Sequence, residues 1–237
     1  MRGLDPAHAE TAREQGASPY RFKASRWSSH SLILRHLSQR LEPARIIDIG
    51  GGEGYLSARL RRLGHRVVCV AKPGTKSPDF PADVDLVEAD LDVGYPAVAG
   101  LFDYAICGDV LEHLRDPGQA LRWLHARLRP GGALIASLPN GVHLYVRLHV
   151  LLGRFPTHDR GPFDRTHLHF YSLEGWRSLL RASGFDVIDL RVTPVPFSLL
   201  LGPRLARPLE WLAYAAARAW KTLLAYQFVV VARPRWS

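Results

Sequence analysis

Five histidines crowd one stretch of this 237-residue sequence: His143, His149, His158, His167 and His169. An imidazole titrates near neutral pH and is the side chain best suited to take up a proton there. In the run Asp164-Arg165-Thr166-His167-Leu168-His169-Phe170, His167 follows Asp164 by three residues, so a carboxylate could orient its ring. His167 is the first candidate for a general base, with Asp164 beside it, and His143 is the second. Each of these rings fits a loop hydrogen bond or a helix cap equally well, and the spacing of His167 and His169 alone does not call for a metal. A second chemical feature is Ile46-Ile47-Asp48-Ile49-Gly50-Gly51-Gly52-Glu53-Gly54. Glycines after a strand let the backbone turn sharply and approach a ligand closely. Asp48 could orient that loop or meet a cationic group. Read as a dinucleotide fingerprint from Gly50, the third glycine would fall on Tyr55, so that fingerprint is not met.

These residues need elements to hold them. Residues 27–41 place Ile33, Leu34, Leu37 and Leu41 at helical spacing behind Ser28 or Ser29 as N-cap. Apolar runs then alternate with helical patterns. ARIIDIG, HRVVCVA, VDLVEAD, FDYAICG, ALIASLP, FDVIDLRV and YQFVVVARP read as strands. GYLSARLRRLG, a segment from Pro117 to about Leu128, and SLEGWRSLLRASG read as helices, and Pro130-Gly131-Gly132 reads as a turn. Short unalternating strands separated by helices predict a doubly wound α/β fold, with a mostly parallel seven-stranded sheet and helices on both faces. Residues 1–43 read as an N-terminal helical cap, and 44–237 as the main domain. Segments 140–171 and 195–225 are additions to the bare sheet, of the kind that build a substrate side.

The order DIGGGEG, EAD, FDYAICGDVLEHLRDP, LRPGG and SLPN resembles the class I S-adenosylmethionine-dependent methyltransferases from about Arg45 to Asp189. It looks closest to their small-molecule branch of ubiquinone-type and glycan-cluster enzymes. The resemblance implies a Rossmann-like sheet with an antiparallel last strand and S-adenosyl-L-methionine as cofactor. Asp48, Ile49 and Gly50, Gly51, Gly52 and Gly54 would cradle its methionine part. Asp90 would reach the adenine amino group beside Leu91, and Cys107, Gly108 and Asp109 would line the far wall. The implied reaction is methyl transfer to a small acceptor, a hydroxyl of a quinone, sugar or lipid-like intermediate.

One position departs from the family. An acidic residue usually ends the second strand and binds the ribose hydroxyls; here Ala71 stands there, followed by Lys72. A lost charge-assisted hydrogen bond is worth roughly 1.5–3 kcal/mol. Ala71 therefore keeps open a non-catalytic binding or scaffold protein on the same fold. Lys72 would suit a 2′-phosphate, but the glycine spacing argues against a dinucleotide.

The formal net charge of +9 admits an acidic partner, but the arginines are dispersed without a block of like charge. Nucleic-acid methylation lacks the NPPY-type tetrapeptide, since the fourth strand continues as CGDV. Cys69 and Cys107 form no CxxC pair and sit in apolar runs, as in a reducing cytoplasm. There is no secretory h-region and no apolar run of the 18–20 residues that a span needs. Residues 204–225 combine Trp211, Tyr214 and Trp220 with Arg204, Arg207, Arg218 and Lys221. Such a helix could lie on a membrane surface, close over a lipid-like acceptor, cover the sheet, or form a homodimer contact.

Overall fold

The apolar runs become strands that share one sheet. In the computed structural model, which describes residues 25–199, 201 and 203–236, the strands are β1 (Arg45–Ile49), β2 (Arg66–Ala71), β3 (Asp85–Glu88), β4 (Phe102–Gly108), β5 (Leu128–Pro139), β6 (Phe185–Thr193) and β7 (Gln227–Pro234). Their order is β3-β2-β1-β4-β5-β7-β6. The pairs joining β1 to β5 are parallel, and β7 runs antiparallel to both β5 and β6. This is the mostly parallel, doubly wound sheet with an antiparallel last strand that the sequence pattern predicts.

Strand side chains alternate between faces, and each face buries its own core. Ile46, Val67, Cys69, Tyr104, Ile106 and Ile135 pack against Leu32, Ile33 and Leu37 of α1 (Ser29–Leu37) and Leu56 and Leu60 of α2 (Tyr55–Arg62). The opposite face sets Ile47, Ile49, Val70, Ala105, Leu134 and Val230 against Leu121 and Leu124 of α3 (Pro117–His125) and Trp176 and Leu180 of α5 (Leu173–Ala182). Between them in sequence lies α4 (Leu144–Leu151); α6 (Pro203–Ala219) and α7 (Lys221–Leu224) precede β7. Ser28, Asp116 and Ser172 cap α1, α3 and α5 by accepting from the backbone N–H three residues on, a contact worth about 1 kcal/mol each. Trp176 is fully buried, and its Nε1 donates to Pro139 O at 2.9 Å, tying α5 to the end of β5.

The structure departs from the sequence reading in two places. Pro130-Gly131-Gly132 lies inside β5, where the β4–β5 register shifts, instead of in a separate turn. The 140–171 segment contains a helix, α4. Residues 72–84, which cross from β2 to β3 and read as no helix in the sequence, contain none, so the crossing at that corner is a loop. The helix of the expected N-terminal cap is α1, which packs on the sheet; residues 1–24 of that cap lie outside the described residues. Among the described residues, no helix is long and apolar enough to cross a membrane.

Candidate functional site

Strand order reverses between β1 and β4, and this is where a doubly wound sheet opens a crevice at its C-terminal edge. Ile49 pairs with Cys107 in register, so Gly50 and Gly108 leave the sheet side by side. Gly50 has φ +70°, and a Cβ on it would lie 2.4 Å from Val110 Cγ2. Its N–H donates to Val70 O at 2.8 Å. Gly52 has φ +43°, but a Cβ there would meet nothing nearer than Gly50 O at 3.7 Å. A Cβ on Gly108 would meet nothing within 4 Å. Gly50 is thus glycine for packing, while Gly52 and Gly108 border open space. Gly51 and Gly54 complete the loop, with Gly54 N donating to Gly51 O before α2 begins.

Asp48 lies beneath this loop. It is 2% exposed and accepts from Ser57 Oγ at 2.6 Å. Burial, only partly offset by that hydrogen bond, raises its pKa from 3.8 to about 6. A folded-state value above the unfolded one favours the proton in the folded state. Asp48 therefore contributes stability that is full below about pH 3.8 and lost as pH rises through about 6. An Asp48→Asn variant is expected to lose this dependence. Thermal melts at pH 4.5 and 7.5 should show the wild type losing ground to the variant at the higher pH; parallel melts would contradict the assignment.

The far wall begins at the end of β4. Cys107 is fully buried in the core, and burial with the nearby Asp48 charge pushes its thiol pKa up. Its side chain lies in the core, and the chain leaves the sheet at Gly108 and Asp109. Asp109 holds φ +58°, unusual for a residue with a Cβ. Its Oδ1 accepts from Ser137 Oγ at 2.5 Å and from Gln227 Nε2 at 2.7 Å. Sequence reasoning missed Ser137 and Gln227, which lie on β5 and β7 and meet Asp109 only through sheet order.

At the near corner, Ala71 ends β2, 2% exposed. Lys72 Nζ lies 2.9 Å from Asp90 Oδ2, and this contact draws the Asp90 carboxyl below its ordinary value. Leu91 packs partly buried against the core.

The candidate bases separate. His143 caps α4, its Nδ1 accepting from Tyr145 N at 3.2 Å. It is buried, which lowers its pKa, while a bond to the Leu224 carbonyl acts the other way. Its Nδ1 is thus engaged in holding the start of the helix. His167 instead lies beside His113, ring centroids 4.8 Å apart and edge to face. Burial and the neighbouring His113 lower the His167 pKa, with Asp164 and Asp109 acting against them. Two links hold its loop over the end of β4: Leu168 N donates to Glu112 O, and His169 Nε2 meets Leu114 O. Asp164 Oδ1 accepts from Thr166 N at 2.9 Å and from Thr166 Oγ1 at 2.6 Å. Thr166 Oγ1 in turn lies 3.0 Å from His113 Nδ1. Asp164 therefore reaches His113 through Thr166 and bears on His167 through its charge. Glu112, His113 and His167 also bring one ligand atom each within 4.8 Å of one another. A carboxylate and two imidazoles are donor types that divalent transition metals accept.

Aromatic rings support the histidine loop. Buried Phe163 contacts Tyr145, His149 and Phe155, and Phe155 meets Phe170 at 5.2 Å. Phe155, Leu168 and Phe170 remain exposed.

Comparison with known proteins bears on the fold and the family. The chain is 34% identical to the ubiquinone biosynthesis O-methyltransferase of Xanthomonas axonopodis pv. citri over 120 residues, 45% of this chain and 48% of that protein. It thus spans about half the length of that curated relative. The fold is similar to a Burkholderia thailandensis 1,6-didemethyltoxoflavin-N1-methyltransferase solved with 1,6-didemethyltoxoflavin and S-adenosylhomocysteine: TM-score 0.60, 19% identity, 97% of this chain and 87% of that one. It is also similar to the [4+2]-cyclase SpnF: TM-score 0.57, 16% identity, 98% of this chain and 93% of that one. A fold alone does not prescribe a reaction. The family model described as "Methyltransferase domain" matches residues 21–190, most of the chain, and on that match the chain belongs to the methyltransferase domain family.

Proposed function

We propose that this protein transfers a methyl group from S-adenosyl-L-methionine to a hydroxyl of a small acceptor, a quinone-, sugar- or lipid-like intermediate. The observation that carries the reading is the glycine loop at the β1–β4 switch, with free space beside Gly52 and Gly108 and two imidazoles, His113 and His167, close to the end of β4. The space next to Gly52 and Gly108, which a Cβ would enter, suits a ligand that must meet backbone closely. When bound, S-adenosyl-L-methionine supplies the electrophilic methyl carbon.

The chain's own residues do the rest. Asp48, Ile49 and the Gly50–Gly54 loop give backbone groups to the methionine end, and Asp90 and Leu91 give the adenine wall. Asp109, fixed by Ser137 and Gln227, holds the far side. His167, kept neutral by burial, accepts the proton of the acceptor hydroxyl at a ring nitrogen. His113, tethered through Thr166 to Asp164, positions His167 from its edge. Exposed Phe155, Leu168 and Phe170 offer an apolar ring-sized wall. Leu205, Trp211 and Leu212, exposed on α6, support the lipid-like end of the acceptor range and a peripheral contact with a membrane surface.

A second reading, a binding protein on this fold that transfers no methyl group, draws its support from Ala71. Incubation with methyl-labelled S-adenosylmethionine and a panel of diphenols, sugars and primary amines separates the two. The expected result is label on a hydroxyl oxygen with release of S-adenosylhomocysteine. Label confined to amines would overturn the hydroxyl assignment, and binding of the cofactor with no turnover on any acceptor would favour the second reading.

A further inference from the structure

The corner where Ala71 stands has a carboxylate one strand away. β2 and β3 run parallel with Cys69 opposite Leu86 and Ala71 opposite Glu88. Residues opposite one another in parallel strands share a face, and side chains two apart do as well. Cys69, Ala71 and Leu86 all pack on the α1–α2 side, so Glu88 leaves the sheet on the side that the Ala71 side chain occupies. Neighbouring strands lie about 4.8 Å apart.

Among the described residues, two neighbouring carboxylates are already engaged. Asp48 is buried on Ser57. Asp90 is held by Lys72. Glu53, whose buried Oε1 has no hydrogen-bond partner among the described residues, lines a cleft of about 330 Å³ with Gly54, Arg59, Arg62, Asp79 and Asp83, on the α2 side of the loop. Glu88 is exposed, and its Oε1 accepts a long hydrogen bond from Gly74 N at 3.4 Å. Such a bond is weak and easily exchanged for a better one. The β2–β3 crossing is a loop, so among the described residues that crossing puts no helix beside Glu88.

We propose that Glu88, reaching across from β3, is the carboxylate that grips the ribose hydroxyls of the adenosyl group in place of the missing acid at Ala71. The proposal rests on the cofactor in the reading above and is independent of the acceptor. It also gives Lys72 a role: by holding Asp90, it keeps that carboxylate at the adenine end and away from the ribose.

Calorimetric titration of the full chain with S-adenosylhomocysteine and its 2′,3′-dideoxy analogue tests this without any turnover. The wild type should prefer the ribose form by about ten- to a hundredfold. Glu88→Gln, which keeps the shape, should bind both ligands alike, near the wild type's affinity for the dideoxy analogue. Adding Ala71→Asp to that variant should restore the preference. A Glu88→Gln protein that still prefers the ribose form, with a wild-type melting profile, would overturn the proposal while leaving the cofactor in place. A wild type that binds neither ligand would overturn the proposal and the cofactor reading together.

Discussion

Methyl transfer by a His167→Ala variant is expected to fall by about 10²–10⁴-fold, the usual contribution of a positioned base, with affinity for S-adenosylhomocysteine unchanged. The ring sits on the 164–170 loop beside His113, above the end of β4, and no backbone of the crevice depends on it. Losing it removes proton acceptance and leaves the glycine loop intact, so the effect belongs to kcat. The pH profile carries the same signature. The base works unprotonated, and burial with the adjacent His113 holds its pKa below the ordinary histidine value. The wild-type rate should therefore stay level through pH 7 and decline only below about 6.5. The variant should lack that acid limb. Asp164 and Thr166 reach the pair through His113, so Thr166→Val should lower kcat less and shift the limb instead of abolishing it. The same cluster allows a competing outcome. Loss of activity on chelation, with recovery on adding a divalent ion, would assign Glu112, His113 and His167 to a metal and take the base role from His167.

Gly52→Val is expected to weaken S-adenosylhomocysteine binding by about a hundredfold or more, equal to at least roughly 2.7 kcal/mol. Two effects act at this position. Valine at φ +43° is strained by about 1–3 kcal/mol, and its side chain would stand in the open space beside the loop. Gly131→Val separates them. Gly131 has φ +81°, a Cβ on it would meet nothing within 4 Å, and it lies at the start of β5, on the opposite edge of the sheet from the crevice. Its substitution should lower the melting temperature by a similar amount and leave ligand affinity alone. Equal loss of affinity in both variants would mean that the fold, and not occlusion, had failed.

The sheet could be read from the sequence because its strands are short apolar runs punctuated by glycine and proline, and a doubly wound order follows from alternating strands and helices. The glycine loop was readable for the same reason: strand, loop and helix N-terminus are contiguous, and local chemistry fixes them. What could not be read depends on distant pairing. Ser137 and Gln227 converge on Asp109 only because β7 inserts between β5 and β6. Asp164 and His167, three residues apart, suggest a direct pair, but Thr166 turns the carboxylate toward His113, which is far away in sequence. His143 carries the same side chain as His167 but ends at a helix N-terminus, where its Nδ1 accepts from Tyr145 N. Cys107 follows from strand parity. Register places its thiol in the core, one residue before the backbone that borders the opening. The Ala71 departure was visible in the sequence, but Glu88 as its neighbour needed the β2–β3 register.

An adenosyl ligand held by the Gly50–Gly54 loop and the end of β4 is measured most directly by titration calorimetry of the intact chain with S-adenosylhomocysteine. Saturable binding at one site per chain is expected, abolished by Gly52→Val and retained by Gly131→Val. Absence of binding heat up to millimolar ligand, from a protein that melts cooperatively, would contradict it.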